Sequence, residues 1–346
     1  MKINQNYNLK FKISKRFWIL LYHFSFCILI FTFLTGFRLF GKKPFYKATG
    51  IMMGSYVEIT SDSLRAHKIF FDEIERLEKI FSKYIPESEI SQLNAQGKLK
   101  VSPETLDVIE QSLEFYNITG KLFDISVGPL IDLWGFTDKK YRIPSEEEIK
   151  NTLMLVVEDR IIIDKKNSIV ELGLVGMKID LGGVAPGYAI DSSVKKLRAA
   201  GIKNFIINAG GEIYCAGTKN NRHWKVAIRH PRNPENIIIQ LELEDQAVAT
   251  SGDYEQYFNI EGKRYSHIID PRTGSPAKTD VVSVTVIAPD CTTADILSTS
   301  LVLLGKEKSI KLIERLRGVD AVIITQDEEG QLDVYDTRKD AIIIDN

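Results

Sequence analysis

Residues able to do chemistry are concentrated between positions 247 and 277, where the sequence reads AVATSGDYEQYFNIEGKRYSHIIDPRTGSPA. Hydroxyls and carboxylates stand here among glycines, which let a backbone approach a ligand closely. His267 can exchange a proton near neutral pH, and Asp270 follows three residues later. This combination suits a phosphate-bearing ligand that undergoes proton transfer. The same residue types also form turns, so a polar hairpin at 259–264 followed by a Pro-Arg-Thr-Gly turn is an equal alternative.

A second candidate site is the glycine-rich turn in the run IDLGGVAPG, which spans residues 179–187. The pattern predicts a strand that ends at Asp180, a Gly-Gly turn, and a helix that ends before Gly201. Exposed backbone N–H groups at such a corner attract anions, and its carbonyl oxygens can hold a cation. A tight connection between a strand and a helix, with no ligand, is the alternative.

Asp295 and Thr299 form a third candidate pair, because a spacing of four residues places both side chains on one face of a predicted helix. A carboxylate and a hydroxyl are hard oxygen ligands of the type that Mg²⁺ prefers. The alternative is local: Asp295 complements the helix N-terminus and Thr299 bonds back to the preceding turn. Elsewhere, Phe123 and Asp124 combine a stacking surface with a hydrogen-bond acceptor.

These residues need a scaffold, and the hydrophobic pattern predicts a mixed α/β (α+β) domain. Apolar residues with helical spacing predict helices over 63–82, from Ser102 onward, from the glycine-rich turn to Gly201, and over 292–304. β-Branched runs predict strands at 56–60, 160–163, 169–171, 178–181, 205–208, 224–228, 237–243, 281–288, 321–325 and 341–344. Ser88 and Ser102 are placed to cap helices, and Gly305 is placed to end one.

The chain has 346 residues and an ordinary globular composition, 44% hydrophobic and 26% charged. Its net charge is −1, but residues 1–47 contain nine Lys and Arg residues and no acidic residue, which leaves −10 on the remainder. A mildly acidic body does not favour nucleic acid, so we expect no nucleic-acid partner. The basic charge of the N-terminus points to a membrane instead.

Residues 17–37 read FWILLYHFSFCILIFTFLTGF, 21 residues without Asp, Glu, Lys or Arg. A helix of this length, at about 1.5 Å per residue, crosses a hydrocarbon layer of about 30 Å. We predict a basic cytoplasmic N-terminus (1–16), a transmembrane anchor (17–37), a linker (38–49) and one domain (50–346). A cleaved signal sequence is the alternative to the anchor. The expected location is the inner (cytoplasmic) membrane, with the domain on the extracytoplasmic, periplasmic side.

Eight short sequence blocks follow one another between residues 53 and 299. They are MGS at 53–55, FSKY with SEI and LN at 81–94, FD with VGPL and LWGF at 123–136, DLGGVA at 180–185, NAGG at 208–211, ATSGDY at 249–254, HIIDPRTG at 267–274, and AD with Thr299 at 294–299. In this order they resemble the ApbE family, the FAD:protein FMN transferases, over about residues 50–305. Eight ordered blocks are too many for a chance match.

The resemblance implies an ApbE/T-fold-like core, a mixed sheet with packed helices, that binds FAD in an extended cleft. The family splits the FAD pyrophosphate with Mg²⁺ and transfers the FMN phosphoryl group to a Thr or Ser hydroxyl of another protein, so that AMP leaves. Such a transfer needs a cation to offset developing charge and a base near the incoming hydroxyl. The implied partner is an acceptor redox protein that carries a Ser/Thr flavinylation motif.

Specific residues follow from the same resemblance. The implied metal ligands are Asp295, Thr299 and the backbone carbonyl of Gly183, and the implied catalytic residues are His267, as acid or base, and Asp270. The implied contacts to the flavin cofactor are Met53, Tyr84, Leu122, Phe123, Asp124, Asp180, Pro186 and Ile268.

Pro186 departs from the family pattern, in which the turn continues Ala-Lys-Gly rather than Ala-Pro-Gly. Proline supplies neither a cation nor an N–H group, and it suits the start of a helix. If the usual lysine holds the pyrophosphate, this chain lacks that help or replaces it, for example with Arg272. We therefore keep two alternatives to flavin transfer: a Mg²⁺-dependent FAD pyrophosphatase that yields FMN and AMP, and a non-catalytic FAD-binding or trafficking protein.

Overall fold

Strands and helices alternate irregularly along residues 42–338 and 342–343, the part of the chain that the computed structural model describes. The strands are β1 (Tyr46–Met52), β2 (Ser55–Ser61), β3 (Lys98–Lys100), β4 (Ile161–Asp164), β5 (Ile169–Leu172), β6 (Phe205–Ala209), β7 (Glu212–Ala216), β8 (Trp224–His230), β9 (Asn233–Leu243), β10 (Gln246–Gly252), β11 (Tyr257–Ile260), β12 (Lys263–Ser266), β13 (Ile269–Asp270), β14 (Ser275–Pro276), β15 (Val281–Ala288), β16 (Asp320–Gln326), β17 (Leu332–Asp336) and β18 (Ile342–Ile343). The helices are α1 (Arg65–Phe81), α2 (Glu89–Gln96), α3 (Pro103–Ile118), α4 (Gly128–Leu133), α5 (Glu146–Leu153), α6 (Ala185–Ala199), α7 (Cys291–Leu304) and α8 (Lys306–Ile313). Short 3₁₀ turns lie at Ile125–Val127 and Glu158–Arg160.

An eight-stranded antiparallel sheet in the order β1-β2-β6-β7-β10-β15-β16-β17 carries the site. Alternate side chains of a strand point to opposite faces, so neighbours such as Ile206 and Ile207 enter different cores. Ile207 lies in the main core with the apolar faces of α1, α6 and α7. Ile206 packs with Val226 and Ile239 of the small β18-β9-β8 sheet. The sheet thus lies between a helical layer and a β layer, which confirms the predicted mixed α/β class.

Local capping signals explain where the helices begin. The Ser88 hydroxyl accepts from the Ser91 N–H at 3.0 Å, and the Ser102 hydroxyl accepts from the Thr105 N–H at 3.2 Å. Each bond satisfies an N–H group that a helix start leaves without an intrahelical partner. At the other end of α7, Gly305 adopts a left-handed φ of 79° that ends the helix. These predicted caps are confirmed.

The strand predicted at 178–181 is wrong. No strand forms at these residues, and the side chain of Asn94 takes the backbone partners of Ile179: it donates to the Ile179 carbonyl and accepts from the Ile179 N–H, both at 2.8 Å. Next to it, the Asp180 N–H donates to the Ile125 carbonyl at 2.8 Å. A single amide side chain satisfies the two backbone groups that a strand would pair. The hydrophobic pattern of an extended segment does not distinguish these partners.

The first strand begins inside the predicted linker. Residues 46–49 of β1 pair with β2 in the main sheet, and the compact unit that contains them starts at Phe45. The domain therefore begins earlier than residue 50. The predicted segments 1–16 and 17–37 lie outside the described residues, and no helix within the described part is long and apolar enough to cross a membrane.

The predicted polar hairpin is present as β11 and β12, and it is attached by aromatic stacking. Phe258 and Tyr265 face each other across the two strands with ring centres 5.1 Å apart. Trp134 lies against Tyr265, and its indole N–H donates to the Gly274 carbonyl at 2.8 Å. This cluster holds the hairpin and the following turn against α4. The segment that begins at His267, between the hairpin and that turn, is therefore held at both ends.

Candidate active site

His267 follows β12 directly, and one of its ring nitrogens is fixed by the backbone. Its Nδ1 lies 3.0 Å from the carbonyl oxygen of Gln256, and a carbonyl can only accept, so Nδ1 carries the proton. Nε2 then keeps a free lone pair, as a general base requires. Loss of hydration lowers the pKa of His267, while the Gln256 carbonyl and the Asp180 carboxylate act in the opposite direction. The imidazole is therefore neutral at neutral pH.

Asp180 is held by contacts from two sides. Its Oδ2 lies 2.5 Å from Nζ of Lys83, and its Oδ1 accepts from the Gly182 N–H at 2.8 Å. Lys83 also donates to the Thr137 hydroxyl at 3.2 Å and lies 5.3 Å from the ring centre of the exposed Tyr84. Lys83 was missed from the sequence, although it stands in the FSKY block, because only its neighbour Tyr84 matched an implied contact.

The loop before α4 brings an aromatic ring to the glycine-rich turn. Leu122 and Phe123 are buried, and a Cβ atom at Gly183 would lie 3.3 Å from Cε2 of Phe123. Asp124 is directed into the protein instead, because its Oδ1 accepts from the N–H of Ser126 at 2.7 Å and from its hydroxyl at 2.5 Å. Asp124 thus caps the 3₁₀ turn, whereas Phe123 lies beside the glycine-rich turn.

Two of the three implied metal ligands are neighbours. A Cβ atom at Gly183 would lie 3.8 Å from Oγ1 of Thr299 on α7. The third, Asp295, is one turn earlier on the same helix and only 4% exposed, and its Oδ2 accepts from the Gly187 N–H at 3.1 Å. α6 and α7 approach so closely here that a Cβ atom at Gly187 would lie 2.5 Å from the Cys291 carbonyl oxygen. Glycine is required at this crossing.

The carboxylate of Asp295 is electrostatically costly as the protein stands. Burial first, and then repulsion by Glu212, raise the pKa of Asp295 well above its ordinary value. Loss of hydration, with repulsion from Glu255, raises the pKa of Glu212 to about 8. Among the described residues, no three His, Cys, Asp or Glu side chains could hold a metal ion by themselves. The implied set differs from such a cluster because it needs Thr299 and the Gly183 carbonyl.

Asp191 of α6 fixes the start of α7. Its carboxylate accepts from the N–H groups of Cys291 and Thr292, both at 2.8 Å, and from the Thr292 hydroxyl at 2.6 Å. The alternative in which Asp295 complements the start of its own helix is not observed. Asp290 caps α7 instead, and Asp295 accepts from the Gly187 N–H of α6. Asp191, 100 residues before Cys291 in the sequence, therefore orients the helix that carries Asp295.

The ATSGDY block contacts α7 through hydroxyl groups. Ser251 Oγ lies 2.8 Å from Ser298 Oγ and 3.2 Å from Thr299 Oγ1. Thr299 therefore has a fixed hydroxyl partner on the side of β10. This contact joins the stretch at 247–277 to the helix with the implied metal ligands.

Asp270 is not directed at His267. Its two oxygens accept from Nε and Nη2 of Arg272 at 3.0 and 2.7 Å, and its backbone carbonyl accepts from the Gly274 N–H at 2.8 Å. This geometry assigns Asp270 to the shape of the turn. It also occupies Arg272, the residue expected to substitute for the missing lysine.

Three further implied contacts have clear structural positions. Met53 lies at the β1–β2 turn with a left-handed φ of 51°, and its N–H donates to Oε1 of Glu78 at 2.7 Å. Ile268 is buried. Pro186 is half-buried in the first turn of α6, so its expected role as a helix starter is confirmed.

Comparison with known proteins agrees with this geometry. Residues 53–323 match the model of the ApbE family. This chain belongs to the ApbE family. An FAD:protein FMN transferase of Vibrio cholerae serotype O1 is 32% identical over 264 residues, which cover 74% of this chain and 78% of that protein.

Solved ApbE structures share the fold. The ApbE protein of Thermotoga maritima superposes with a TM-score of 0.78 at 33% identity, over 86% of this chain and 98% of that one. The flavin transferase ApbE of Vibrio cholerae gives a TM-score of 0.75 at 30% identity, over 85% of this chain and 97% of that one. The resemblance inferred from the eight blocks is confirmed.

Proposed function

We propose that this ApbE-family chain is an FAD:protein FMN transferase that attaches FMN to a Thr or Ser hydroxyl of an acceptor redox protein and releases AMP. The observation that carries the chemistry is His267, a neutral imidazole whose Nδ1 proton is fixed on the Gln256 carbonyl. The names of its relatives support the reaction class.

In the proposed step, Nε2 of His267 accepts the proton of the acceptor hydroxyl as that oxygen attacks the FMN phosphorus. The new oxygen–phosphorus bond forms while the phosphorus–oxygen bond to AMP breaks, and the electron pair leaves with the AMP phosphate. A base that stays neutral at physiological pH is available for this transfer in each cycle. The product is an FMN phosphoester on the acceptor protein.

We further propose that Asp295, the Thr299 hydroxyl and the Gly183 carbonyl hold Mg²⁺. All three donors are oxygens, as Mg²⁺ requires. The proposal is supported by the approach of Gly183 to Thr299 and by the hydrogen bond from the Gly187 N–H to Asp295. Burial, followed by the charge of Glu212, raises the pKa of Asp295, and a divalent cation would favour its ionised form. When bound, the ion offsets negative charge on the pyrophosphate.

The flavin position is proposed from the same contacts. Phe123 beside Gly183 offers an aromatic surface, and Asp180 offers an acceptor oriented by Lys83. Tyr84, beside Lys83, is 65% exposed, so its ring is available to a bound flavin. Met53, Leu122 and Ile268 complete the proposed apolar surroundings.

One experiment tests the reaction. The full chain in mild detergent is incubated with FAD, Mg²⁺ and a candidate acceptor domain, and acceptor mass and AMP are followed together. Transfer predicts a mass gain of one FMN per acceptor with an equal amount of AMP, and none on an acceptor whose motif hydroxyl is removed. AMP without a mass gain would identify the pyrophosphatase alternative, and bound FAD without either product would contradict both enzymatic functions.

We also propose that residues 17–37 anchor the enzyme in the inner membrane with the domain on the extracytoplasmic side. The support is the uncharged length of this segment and its basic flanks. The acceptor protein would then present its motif on the same side of the membrane.

A further inference from the structure

Glu158 is a buried carboxyl group that the proposed reaction does not use. It lies in the 3₁₀ turn before β4 and is 0% exposed. Its Oε2 accepts from the Ile125 N–H at 3.0 Å. Its Oε1 is also buried, and within the described part of the chain no hydrogen-bond partner satisfies it as a plain acceptor. Such an oxygen is costly unless something completes its bonding.

The neighbour that faces Glu158 is a second carboxyl group, that of Asp124. Asp124 is itself 8% exposed, and its Oδ1 already accepts two hydrogen bonds from Ser126. Two ionised carboxylates here would repel each other, and Oε1 would stay unsatisfied. A single proton on Oε1 turns it into a donor to Asp124 and removes both costs.

We propose that Glu158 is a positioning residue that stays protonated and donates a hydrogen bond from Oε1 to Asp124, locking the loop that carries Phe123. The same loop is also bonded to Asp180, because the Ile125 carbonyl accepts from the Asp180 N–H at 2.8 Å. Glu158 thereby reaches both the aromatic ring and the carboxylate proposed for flavin binding. Its effect on FAD rests on the proposed function, whereas its protonation does not.

The other charges near this pair do not remove the proton. Asp159 lies beside it and adds negative charge, but it is paired with Lys121 at 2.8 Å near the surface. The Tyr116 hydroxyl, 3.5 Å from the Asp159 carboxylate, is a further titratable neighbour. Burial, followed by the charge of Asp124, raises the pKa of Glu158 to about 10. Glu158 is therefore protonated across the physiological range.

The decisive comparison is Glu158→Gln against Glu158→Met. A glutamine can accept from the Ile125 N–H with its oxygen and donate to Asp124 with its amide, so it reproduces the protonated acid. Methionine has a similar size but offers neither bond. We expect Glu158→Gln to keep the wild-type affinity for FAD, measured by fluorescence quenching. For Glu158→Met we expect a weakening of about tenfold, because a buried N–H and a carboxylate lose partners.

The pH dependence of melting gives a readout that does not depend on activity. The unfolded chain releases the Glu158 proton near the ordinary glutamate pKa, while the folded chain keeps it up to about pH 10. The wild type therefore loses stability through this group as the pH rises, and glutamine removes that loss. We expect the melting temperature of Glu158→Gln to rise relative to that of the wild type between pH 5 and about pH 9.

Glu73→Gln is the matched control, because Glu73 is a buried glutamate that its cationic neighbours Arg76 and Lys196 keep ionised. It should be destabilised at neutral pH, in contrast to Glu158→Gln. The proposal is overturned if Glu158→Gln is as destabilised as Glu158→Met, or if its difference from the wild type does not change with pH. A failure of FMN transfer by the wild type would leave these melting results intact, so the two failures are distinguishable.

Discussion

The protonation of His267 is set by a backbone carbonyl rather than by another acid. Asp270, the acid nearest in sequence, is bound to Arg272, and the Gln256 carbonyl holds the Nδ1 proton. A carbonyl orients the ring without adding a full negative charge beside it. The imidazole can therefore remain a neutral base in a partly dehydrated site.

Replacing His267 with asparagine tests this base directly. The asparagine amide can still donate to the Gln256 carbonyl, but it cannot accept a proton from the acceptor. We expect kcat for FMN transfer to fall by about 10²–10⁴, with FAD affinity little changed. The measurement is single-turnover transfer with excess acceptor, and an unchanged rate constant would remove His267 from the mechanism.

The pH profile of the wild type provides a second test at this residue. The base must be deprotonated to act, so the rate constant should fall as the pH drops through the pKa of His267. Because loss of hydration lowers that pKa, the fall should occur at a lower pH than for an ordinary histidine. A profile of kcat/KM between pH 5 and about pH 8 measures it, and an acid limb above the ordinary histidine pKa would contradict the assignment.

We expect the Asp295 carboxylate to lower the stability of the metal-free protein while it supports FMN transfer. Asp295→Asn keeps an oxygen for the Gly187 N–H but removes the charge that burial and Glu212 disfavour. We expect a higher melting temperature without Mg²⁺ and a loss of transfer of at least about 100-fold. Asp290→Asn on the same helix is the control, because asparagine also caps helices. Equal activity of the two variants would refute the metal assignment.

At the scale of elements, α1 and α6 are joined by one buried carboxylate. Glu73 accepts from Arg76 within α1 at 2.9 Å and from Ser192 of α6 at 2.5 Å, and it also pairs with Lys196 of α6. Burial alone would raise its pKa, but the hydrogen bonds from Arg76, Lys196 and Ser192 lower the pKa of Glu73 to about 2. α6 in turn carries Gly187 and Asp191, so this clamp supports the crossing with α7.

Glu73→Gln should therefore destabilise the domain at neutral pH. We expect a loss of about 2–3 kcal/mol in the free energy of unfolding, below the value for fully buried pairs because both cations are partly exposed. The pKa of Glu73 is depressed on folding, so the loss should shrink as the pH falls from the ordinary glutamate pKa toward about 2. Urea unfolding at pH 7 and about pH 4 measures it.

Asp72→Asn is the control for this prediction, since Asp72 belongs to an exposed pair with Lys68 on the same helix. Its effect should stay below about 1 kcal/mol. If Asp72→Asn and Glu73→Gln destabilise equally, the clamp between α1 and α6 is not a major contribution.

At the scale of the whole molecule, membrane attachment can be tested separately from folding, because the proposed anchor precedes the compact unit in the sequence. The compact unit begins at Phe45, after the apolar segment. A chain that starts at Phe45 should remain in the soluble fraction with unchanged melting, whereas the full chain should sediment with membranes and resist extraction by carbonate. Recovery of the full chain in the soluble fraction would contradict the anchor, and loss of residues 1–37 from the mature protein would show a cleaved signal sequence.

The sequence by itself determined what depends on neighbours along the chain. Ser88 and Ser102 cap helices because a cap needs only the next three residues, and the hairpin around 259–264 follows from its own turn and alternation. The eight ordered blocks likewise identified the family, since each is a local string. Pro186 was understood for the same reason, as a residue that starts a helix.

Only the tertiary structure decided which distant side chains meet. The pairs Lys83–Asp180 and Glu73–Lys196 join residues about a hundred positions apart, so no periodicity predicts them. Asn94 took the backbone partners that a strand would have had, and the enclosure of Glu158 beside Asp124 appears only in the packed chain, where a polar atom must be satisfied once water is excluded. Burial and pairing are properties of the packed chain, and they set the chemistry of this site.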